Sequence, residues 1–175
     1  MSTEKVIIYT DGACFPNPGN GGWSAIIVRQ GAETEFLSGS SKRVTNNQME
    51  IQGAIEGLKR TKEGESVLIV SDSQYLIRGV TQWVANWIAH NWTHKVSRRF
   101  VPCKNIPHWK ALLALTSKRA VEWEWVRGHS GDEMNELADR MAFEATGVTP
   151  KTMPWWAKKK KHSPEDSLKR TAATG

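Results

Sequence analysis

The stretch VIIYTDG, residues 6–12, joins a short apolar run to an acidic, glycine-ended sequence. Such a run is typical of a buried β-strand, and Thr-Asp-Gly is typical of the turn that closes one. The stretch SVLIVSDS, residues 66–73, repeats the pattern with a second apolar run and a second aspartate. The two stretches therefore predict two buried strands that carry Asp11 and Asp72 at their carboxyl ends.

Segments with helical spacing lie between and after these strands. Thr45, followed three residues later by Gln48, predicts a capping box ahead of an amphipathic helix whose apolar face spans residues 51–58. The pattern predicts three further helices: one over 76–87 with Gly79 as a candidate break, one that begins after an Asn105 cap, and one over 134–141. It also predicts a loop at 17–22, a hairpin formed by 23–28 and 35–37, and a last strand at 121–126. Because strands come first and then alternate with helices, we predict an α/β fold with one mixed sheet covered by helices.

Composition restricts the class of protein. The chain has 175 residues, a net charge of +6 and 39% hydrophobic residues, which suits one folded domain rather than a disordered chain. Its apolar runs are far shorter than the roughly 18 residues that a membrane span needs. Two cysteines, Cys14 and Cys103, are too few for a disulfide framework or a four-thiolate metal site. We expect a soluble, cytoplasmic monomer without a membrane contact.

The charges are unevenly distributed along the chain. Residues 73–120 hold eight basic residues and no acidic one, whereas residues 1–72 and 121–150 together hold nine basic and sixteen acidic residues. Residues 151–175 hold seven basic and two acidic residues. A solvated lysine surface explains the last segment, but it does not explain 48 residues without a carboxylate. This distribution favours a polyanion on one block and a cation in the other.

Four carboxylates are expected to meet at one edge of the predicted sheet. Asp11 and Asp72 follow buried strands, Glu50 lies at the rim of its helix, and Asp139 lies on the last helix with Asn135 one turn earlier. One aspartate after a strand is usually a turn residue, but two of them together with two helix-rim acids fit a cluster better. Carboxylates that lie so close repel one another unless a cation intervenes. An all-oxygen site favours Mg²⁺, with Mn²⁺ as a substitute, and a pair of ions roughly 4 Å apart suits phosphodiester hydrolysis.

Five segments closely resemble bacterial type 1 ribonuclease H, in order along residues 4–147: YTDGAC (9–14), NPG (17–19), TNNQME (45–50), SDSQY (71–75) and WVRGHSG (125–131). Each segment alone is modest evidence, but five in register are highly specific. The resemblance implies a ribonuclease H-like fold with a five-stranded mixed sheet. It also implies an endonuclease that cuts the RNA strand of RNA/DNA hybrids and leaves 5′-phosphate and 3′-hydroxyl ends.

The resemblance also implies roles for individual residues. Asp11, Glu50, Asp72 and Asp139 would be the catalytic metal ligands, and His129 would assist proton transfer or product release. His129 lies between two glycines, and a histidine titrates near neutrality, as a proton shuttle requires. The implied substrate-binding residues are Cys14, Asn17, Thr45, Asn46, Asn47, Gln74 and Asn135, with Arg29 or Lys42 as the basic partner of Thr45 at a DNA phosphate. Turn and cap chemistry is the alternative explanation for Asn17, Asn46 and Asn47.

Residues 83–105 resemble the family's basic handle, a helix and loop that grip the DNA strand. Trp83 is the better candidate for a substrate contact, whereas Trp87 and Trp92 are expected to form the handle's own core. The expected phosphate-binding cations of the handle are Lys95, Arg98, Arg99 and Lys104. We place the ribonuclease H domain at 1–148 and expect residues 149–175, which include Trp155 and Trp156, to be a largely disordered basic tail that adds non-specific nucleic-acid contact.

Two other classes of function compete with a hybrid-specific nuclease. A non-catalytic nucleic-acid-binding module of the same fold would be expected if one carboxylate were missing, but all four are present. A metal-dependent DNA nuclease or strand-transfer enzyme of a related fold would lack the segment TNNQME and the handle. Both features are present in this sequence, and the hybrid-specific nuclease is therefore favoured.

Overall fold

A five-stranded mixed sheet forms the centre of the molecule. The computed structural model describes residues 4–128 and 130–149. The strands of this sheet are β1 (Val6–Phe15), β2 (Gly19–Val28), β3 (Glu35–Val44), β4 (Ser66–Ser71) and β7 (Ala120–Trp125). Their order is β3-β2-β1-β4-β7, with β2 antiparallel to both β1 and β3, and β4 parallel to both β1 and β7. The predicted mixed α/β sheet is confirmed.

Helices cover both faces of this sheet. The helices are α1 (Asn46–Lys59), α2 (Gln74–Arg78), α3 (Val84–Ala89), α4 (Ile106–Thr116) and α5 (Glu133–Ala145). One buried cluster joins the apolar side of α1 to Ile8 and Ile27 of the sheet and to Trp109 and Leu112 of α4. The last helix, α5, is tied to β2 by a hydrogen bond in which the Ser24 hydroxyl donates to the Ala138 carbonyl at 2.7 Å. None of the described helices has the length and apolar composition needed to span a bilayer.

The start of α1 follows the sequence prediction closely. The Thr45 hydroxyl accepts from the Gln48 backbone nitrogen at 3.2 Å, and the Gln48 side chain accepts from the Thr45 backbone nitrogen at 3.0 Å. Both halves of the predicted capping box are therefore present. Because this box sets where the helix begins, it also sets the positions of Asn46, Asn47 and Glu50 on the first turns.

The predicted turn after the first strand is wrong. β1 continues through Asp11 and Gly12 to Phe15, because β2 pairs with it over that whole length. β4 pairs only with residues Val6 to Tyr9, so that the second half of β1 has a strand neighbour on one side alone. Similarly, residues 19–22, predicted as loop, begin β2 and pair with β1 and β3.

The helical segment at 74–89 runs past Gly79 rather than breaking there. A π-helical turn, Gly79–Trp83, joins α2 to α3. A Cβ atom on Gly79 would overlap the Trp109 ring, so the glycine serves close packing between this segment and α4 and does not end the helix. The wider turn accommodates that contact without interrupting the helical path.

The handle differs from the expected helix and loop. After α3, residues Thr93–Val96 (β5) and Arg99–Pro102 (β6) form a two-stranded antiparallel hairpin. Ser97, at φ 55°, makes the reversal between them. β-branched residues at Thr93, Val96 and Val101 favour extended backbone, which explains a hairpin where the sequence prediction placed a loop. Residues 150–175, and with them almost all of the predicted tail, lie outside the described residues.

Candidate active site

Asp11 lies where β1 loses its β4 neighbour. A Cβ atom on Gly12 would overlap the Glu50 backbone nitrogen, so Gly12 faces α1 at very short range. Side chains alternate along a strand, and Asp11 therefore points to the opposite face, the face on which α5 packs. The carboxylate is 3% exposed, and its Oδ1 accepts a hydrogen bond from the Gly12 backbone nitrogen at 2.8 Å.

Glu50 approaches the same position from the second turn of α1. It is 5% exposed, although a glutamate is rarely buried without a partner. The absence of a side chain at Gly12 brings the α1 backbone against β1 and carries Glu50 toward Asp11. The contact between a strand glycine and a helix start therefore places the second carboxylate.

Asp72 occupies the first position after β4, one strand away from Asp11. Its backbone carbonyl accepts from the Trp125 indole nitrogen at 3.1 Å, which ties the end of β4 to the end of β7. On the other side, a Cβ atom on Gly128 would lie 2.9 Å from Asp72 Oδ2. The glycine thus leaves room for the carboxylate beside the loop that carries His129.

The three carboxylates form one cluster. Asp11, Glu50 and Asp72 each offer an oxygen, and these oxygens all lie within 4.8 Å of one another. Asp11 Oδ2 and Glu50 Oε2 are buried without a hydrogen-bond partner among the described residues. Two unsatisfied carboxylate oxygens aimed into one acidic cluster fit a cation, because such atoms are costly to bury unless they bind something.

Burial and mutual repulsion change the protonation of this cluster. Desolvation raises the pKa of Asp11 well above its usual range, and the nearby charges of Asp72 and Asp139 raise it further. Desolvation likewise raises the pKa of Glu50, with further contributions from Asp11 and Asp72. Without a cation, the protein therefore favours protonated forms of these two groups. A divalent ion would reverse this preference and hold both ionised.

α5 places its polar residues beside this cluster. Asp132 caps the helix by accepting from the Asn135 backbone nitrogen at 3.0 Å, and Asn135 is 2% exposed. The half-buried Asp139, one turn after Asn135, is close enough to raise the pKa of both Asp11 and Glu50. The helix thus brings the fourth predicted carboxylate toward the other three. His129, which precedes α5, lies outside the described residues.

Comparison with known proteins identifies the family. The family model described as RNase H matches residues 3–146. This chain belongs to the ribonuclease H family. A Ribonuclease H from Pseudomonas paraeruginosa is 43% identical over 148 residues, which are 85% of this chain and 97% of that protein. A Ribonuclease H from Francisella philomiragia is 46% identical over 142 residues, 81% of this chain and 91% of that protein.

Solved structures support the same assignment. The crystal structure of LC9-RNase H1, described as a type 1 RNase H with the type 2 active-site motif, has a TM-score of 0.71 and 29% identity over 84% of this chain and 74% of its own. LC11-RNase H1 in complex with an RNA/DNA hybrid has a TM-score of 0.59 and 21% identity over 82% of this chain and 97% of its own, and it supports the fold alone. Relatives carry the names Ribonuclease H and Ribonuclease HI. The chain is therefore an endoribonuclease that cuts the RNA strand of RNA/DNA hybrids, and its family is metal-dependent.

In this ribonuclease H chain, two predicted substrate-binding residues already bind each other. Asn17, in the turn between β1 and β2, accepts from the Asn46 backbone nitrogen at 3.1 Å through Oδ1. The nearby Cys14 thiol donates to the carbonyls of Val44 and Pro16 at 3.1 and 3.3 Å. These bonds bring the β1–β2 turn against the start of α1, where Asn47 is exposed. The residues therefore form one surface, and turn chemistry accounts in part for Asn17, whose side chain makes the bond, whereas Asn46 takes part through its backbone.

The position of Arg29 excludes it as the basic partner of Thr45 at a DNA phosphate. Arg29 follows the far end of β2, where its guanidinium binds Glu65 at 2.7 Å and the Arg60 carbonyl at 2.9 Å. Gly19, at the opposite end of β2, pairs with Val44 beside Thr45. Arg43, which the sequence analysis did not consider, is exposed two residues before Thr45 at φ 56°. The irregular register of β2 and β3 produces this backbone, and no local sequence pattern indicated it.

The handle tryptophans do not form a separate core of the handle, contrary to the prediction for Trp87 and Trp92. Trp87 and Trp92 pack against the main core, and Trp92 is also covered by the Lys110 ammonium, 5.6 Å from its ring centroid. The half-buried Trp83 lies 5.8 Å from both Tyr75 and Trp87, measured between ring centroids. The four predicted cations Lys95, Arg98, Arg99 and Lys104 are all exposed. Gln74 is exposed as well, at the first position of α2.

Proposed function

We propose that Asp11, Glu50, Asp72 and Asp139 hold Mg²⁺, as two ions, for hydrolysis of the RNA strand of a hybrid. The observation that carries this proposal is the cluster of three carboxylates, two of whose buried oxygens have no hydrogen-bond partner in the part of the chain that the structure describes. All donors are hard carboxylate oxygens, which favour Mg²⁺ or Mn²⁺ over zinc. When bound, such ions activate water and stabilise the leaving oxygen of the phosphodiester.

The chain's own groups supply the remaining chemistry. The buried acids form a rigid, weakly solvated site, because Asp11 is set by strand pairing and Glu50 by the capping box of α1. Water adds to phosphorus, and the 3′-oxygen of the preceding nucleotide leaves, which gives 5′-phosphate and 3′-hydroxyl ends. His129 would carry a proton during this exchange, the role that histidine takes most often in general acid–base catalysis. Asn135 would lie beside the scissile phosphate.

The polar surface next to the carboxylate cluster would distinguish the RNA strand from the DNA strand of the hybrid. Only RNA has 2′-hydroxyl groups, which polar side chains can recognise across the minor groove. The exposed Asn47 and Gln74 flank Glu50 and Asp72 in sequence and lie on the first turns of α1 and α2. Thr45, with Lys42 or Arg43, would hold a DNA phosphate. The other proposed substrate-binding residues are Cys14, Asn17, Asn46, Trp83 and the handle cations Lys95, Arg98, Arg99 and Lys104.

A panel of labelled duplexes tests this function. With Mg²⁺, the protein is expected to cut the RNA strand of RNA/DNA and to leave RNA/RNA and DNA/DNA intact. A single ribonucleotide within DNA should be a poor substrate, because a lone 2′-hydroxyl leaves most of the reading groups unpaired. Binding of the hybrid without cleavage would indicate a non-catalytic module, and cleavage of DNA/DNA would indicate a DNA nuclease. Chelation of the metal should abolish cleavage, and Mn²⁺ should restore it.

A further inference from the structure

The face of the sheet that carries Asp11 has an apolar area that the described helices do not fully cover. Side chains alternate along a strand, so strand register defines which residues share this face. Two neighbouring rows across the sheet are Phe36, Ile26, Tyr9, Val70 and Glu124, and then Val28, Ile7, Leu68 and Glu122. Ile26 and Val70 are buried, Phe36 is 56% exposed, and the other apolar members are half-buried. We call the apolar residues of these two rows the open face.

The described helices pack mainly on other parts of the sheet. Buried residues of α1 to α4 belong to one cluster with Ile8 and Val67, whose side chains point to the opposite face. α5 shares the face with Asp11, but it crosses β2 at Ser24, two residues away from Ile26, where the Ser24 hydroxyl binds a carbonyl of α5. An apolar sheet face is usually buried against another element. The open face therefore calls for an occupant that the described residues do not supply.

The chain leaves α5 at a point from which it can reach the open face. A Cβ atom on Gly22 of β2 would lie 2.8 Å from the Thr146 backbone nitrogen, so α5 ends above Gly22. Gly147, at φ 75°, turns the chain away from the helix axis. Ile26 lies about 14 Å from Gly22 along β2, at roughly 3.4 Å for each residue. Trp155 follows Thr146 through a connection that can extend to about 30 Å, which is ample.

The segment 153–161 has the polarity that this face requires. Its sequence, MPWWAKKKK, is an apolar run with two tryptophans followed by four lysines. Each indole can bury roughly 150–250 Å² of surface. The rows likewise pass from apolar residues to Glu122 and Glu124 on β7, about 10 Å from β1 across two strand spacings. The order of apolar and charged groups therefore matches between the segment and the face.

Negative charge gathers at the β7 end of the open face. Burial raises the pKa of the Tyr9 hydroxyl, and the nearby charges of Asp132 and Glu124 raise it further. Glu122 already attracts one cation, because its carboxylate binds the Lys5 ammonium at 2.6 Å. A basic segment gains from this potential, whereas the phosphates of a nucleic acid are repelled by it.

We propose that Trp155 and Trp156 dock on the open face and that lysines 158–161 extend from there toward Glu124 at the β7 edge. The tail thus covers the part of the sheet that α5 leaves open. Tyr9 and Asp11 point to the same side of β1, so the docked segment also supports the strand that carries the first carboxylate. This contact lies outside the proposed function and does not depend on it.

Two deletions separate the tryptophans from the lysines. Deletion of residues 158–175 keeps the two tryptophans, and deletion of residues 153–175 removes them. The two products carry the same net charge, because residues 153–157 include no charged side chain. The longer deletion should lower Tm by roughly 4–8 °C relative to the shorter one, in line with the loss of a partly buried aromatic contact. Joint replacement of Trp155 and Trp156 by alanine in the full chain should lower Tm by a similar amount.

Phe36→Ala tests the proposed site on the sheet, with Phe100→Ala as the matched control. Phe36 is 56% exposed on β3, and Phe100 is 59% exposed on β6, away from the open face. Phe36→Ala should lower Tm by about 2–4 °C more in the chain that keeps the tryptophans than in the chain that lacks them. Phe100→Ala should change Tm equally in both chains.

Methyl NMR of the two deletion products locates the contact. Ring currents of the tryptophans should shift the methyl signals of Ile7, Val28 and Leu68 in the product that keeps them, and leave the signal of Ile88 on α3 unchanged. Equal Tm values for the two products, or equal methyl signals, would overturn the docking.

The remaining outcomes identify a different occupant. A Tm difference that grows with protein concentration would overturn the proposal in favour of a second copy of the chain. An unchanged Tm with weaker binding of a hybrid would overturn it in favour of base stacking by the tryptophans. Because Tm and NMR are measured without substrate, failure of the protein to cut a hybrid would reject the proposed function and leave this result unaffected.

Discussion

The Asp11 carboxylate has one oxygen bound to the Gly12 backbone and a second, buried oxygen with no partner among the described residues. The pKa of Asp11 is higher in the folded state than in the unfolded state. The contribution of this group to the free energy of unfolding is therefore complete below the unfolded-state pKa and is lost as pH rises through the folded-state pKa. At neutral pH without metal, this carboxylate therefore destabilises the fold. A residue with such an energetic cost is expected to serve the reaction and not the fold.

Replacement of Asp11 should separate activity from stability. Asp11→Asn is expected to lose roughly a thousandfold or more in hybrid cleavage, because metal-bound charge stabilisation is worth several kcal/mol. In chelator at pH 7, the variant should be more stable than wild type by urea unfolding, because burial and neighbouring charges raise the pKa of the carboxyl that it replaces. This gain should shrink toward pH 4 and with added Mg²⁺, which stabilises only the wild type. Glu35→Gln, on the exposed start of β3, controls for loss of charge. Near-wild-type cleavage by Asp11→Asn would contradict its assignment as a ligand.

His129 is expected to act more mildly than the carboxylates. His129→Ala should slow turnover by roughly 10- to 10⁴-fold, the order of magnitude of a general acid–base contribution. The measurement is kcat against pH with saturating hybrid and Mg²⁺. Metal affinity, measured by calorimetry, should stay at the wild-type value. A loss of metal binding would make His129 a ligand instead.

At the scale of elements, the contact between β1 and α1 determines the geometry of the site. Gly12→Ala would place a methyl group into the Met49–Glu50 backbone, which cannot move aside as a side chain could. We expect a loss of about 1–3 kcal/mol in unfolding free energy and a large loss of activity at temperatures where the variant is folded. The methyl group added in Gly57→Ala would contact the Ile8 and Ala25 side chains in the same interface, far from the carboxylates. This control variant should lose stability but keep its activity. Equal kcat loss in both variants would contradict a specific effect on Glu50.

The ion pair between Arg29 and Glu65 joins the end of β2 to the segment before β4. The hydrogen bond that Arg29 donates lowers the pKa of Glu65 in the folded state. The contribution of the ion pair to the free energy of unfolding is therefore present above the unfolded-state pKa and is lost as pH falls through the folded-state pKa. Glu65→Gln should cost about 0.5–1.5 kcal/mol at pH 7 and almost nothing near pH 3 in urea unfolding. The more exposed Glu63, paired with Lys118, serves as the control, and Glu63→Gln should be close to neutral at both pH values.

At the scale of the whole molecule, positive charge is concentrated in two regions, the handle and residues 151–175. The handle carries Lys95, Arg98 and Arg99 on the hairpin after α3 and Lys104 between β6 and α4, whereas lysines 158–161 lie outside the described residues. Deletion of residues 158–175 should leave kcat nearly unchanged, weaken hybrid binding modestly and make its salt dependence shallower. Replacement of Lys95, Arg98, Arg99 and Lys104 by glutamine should raise KM much more at the same salt.

Steady-state kinetics at several salt concentrations checks this difference. The tail deletion and the handle variant should be compared at equal protein stability, measured by thermal unfolding. A fall in kcat after tail deletion, as large as the rise in KM after handle neutralisation, would show that the tail belongs to the site. Both the domain boundary near residue 148 and the tail's role stay predictions until then.

The sequence by itself determined the features that depend on near neighbours in the chain. The capping box at Thr45 and Gln48, the helical face of α1 and the strand before Asp72 were predicted because dihedral preference and burial repeat with a local period. The positions of Asp11, Glu50 and Asp72 at strand ends and at a helix rim predicted that these carboxylates meet, the resemblance to ribonuclease H supported the same grouping, and the geometry confirmed it. The position of Asp139 and Asn135 on one helix also followed from local spacing.

Tertiary structure alone decided the features that depend on register and on which elements become neighbours. Asp11 lies inside a strand because β2 pairs beyond the point where β4 ends, and that difference in pairing length has no local sequence pattern. Arg29 was excluded by its place at the far end of β2, and Asn105 was found to bridge two helices rather than cap its own. The physical reason is the same in each case: local sequence sets backbone preference, whereas the partner of a side chain is set by long-range packing.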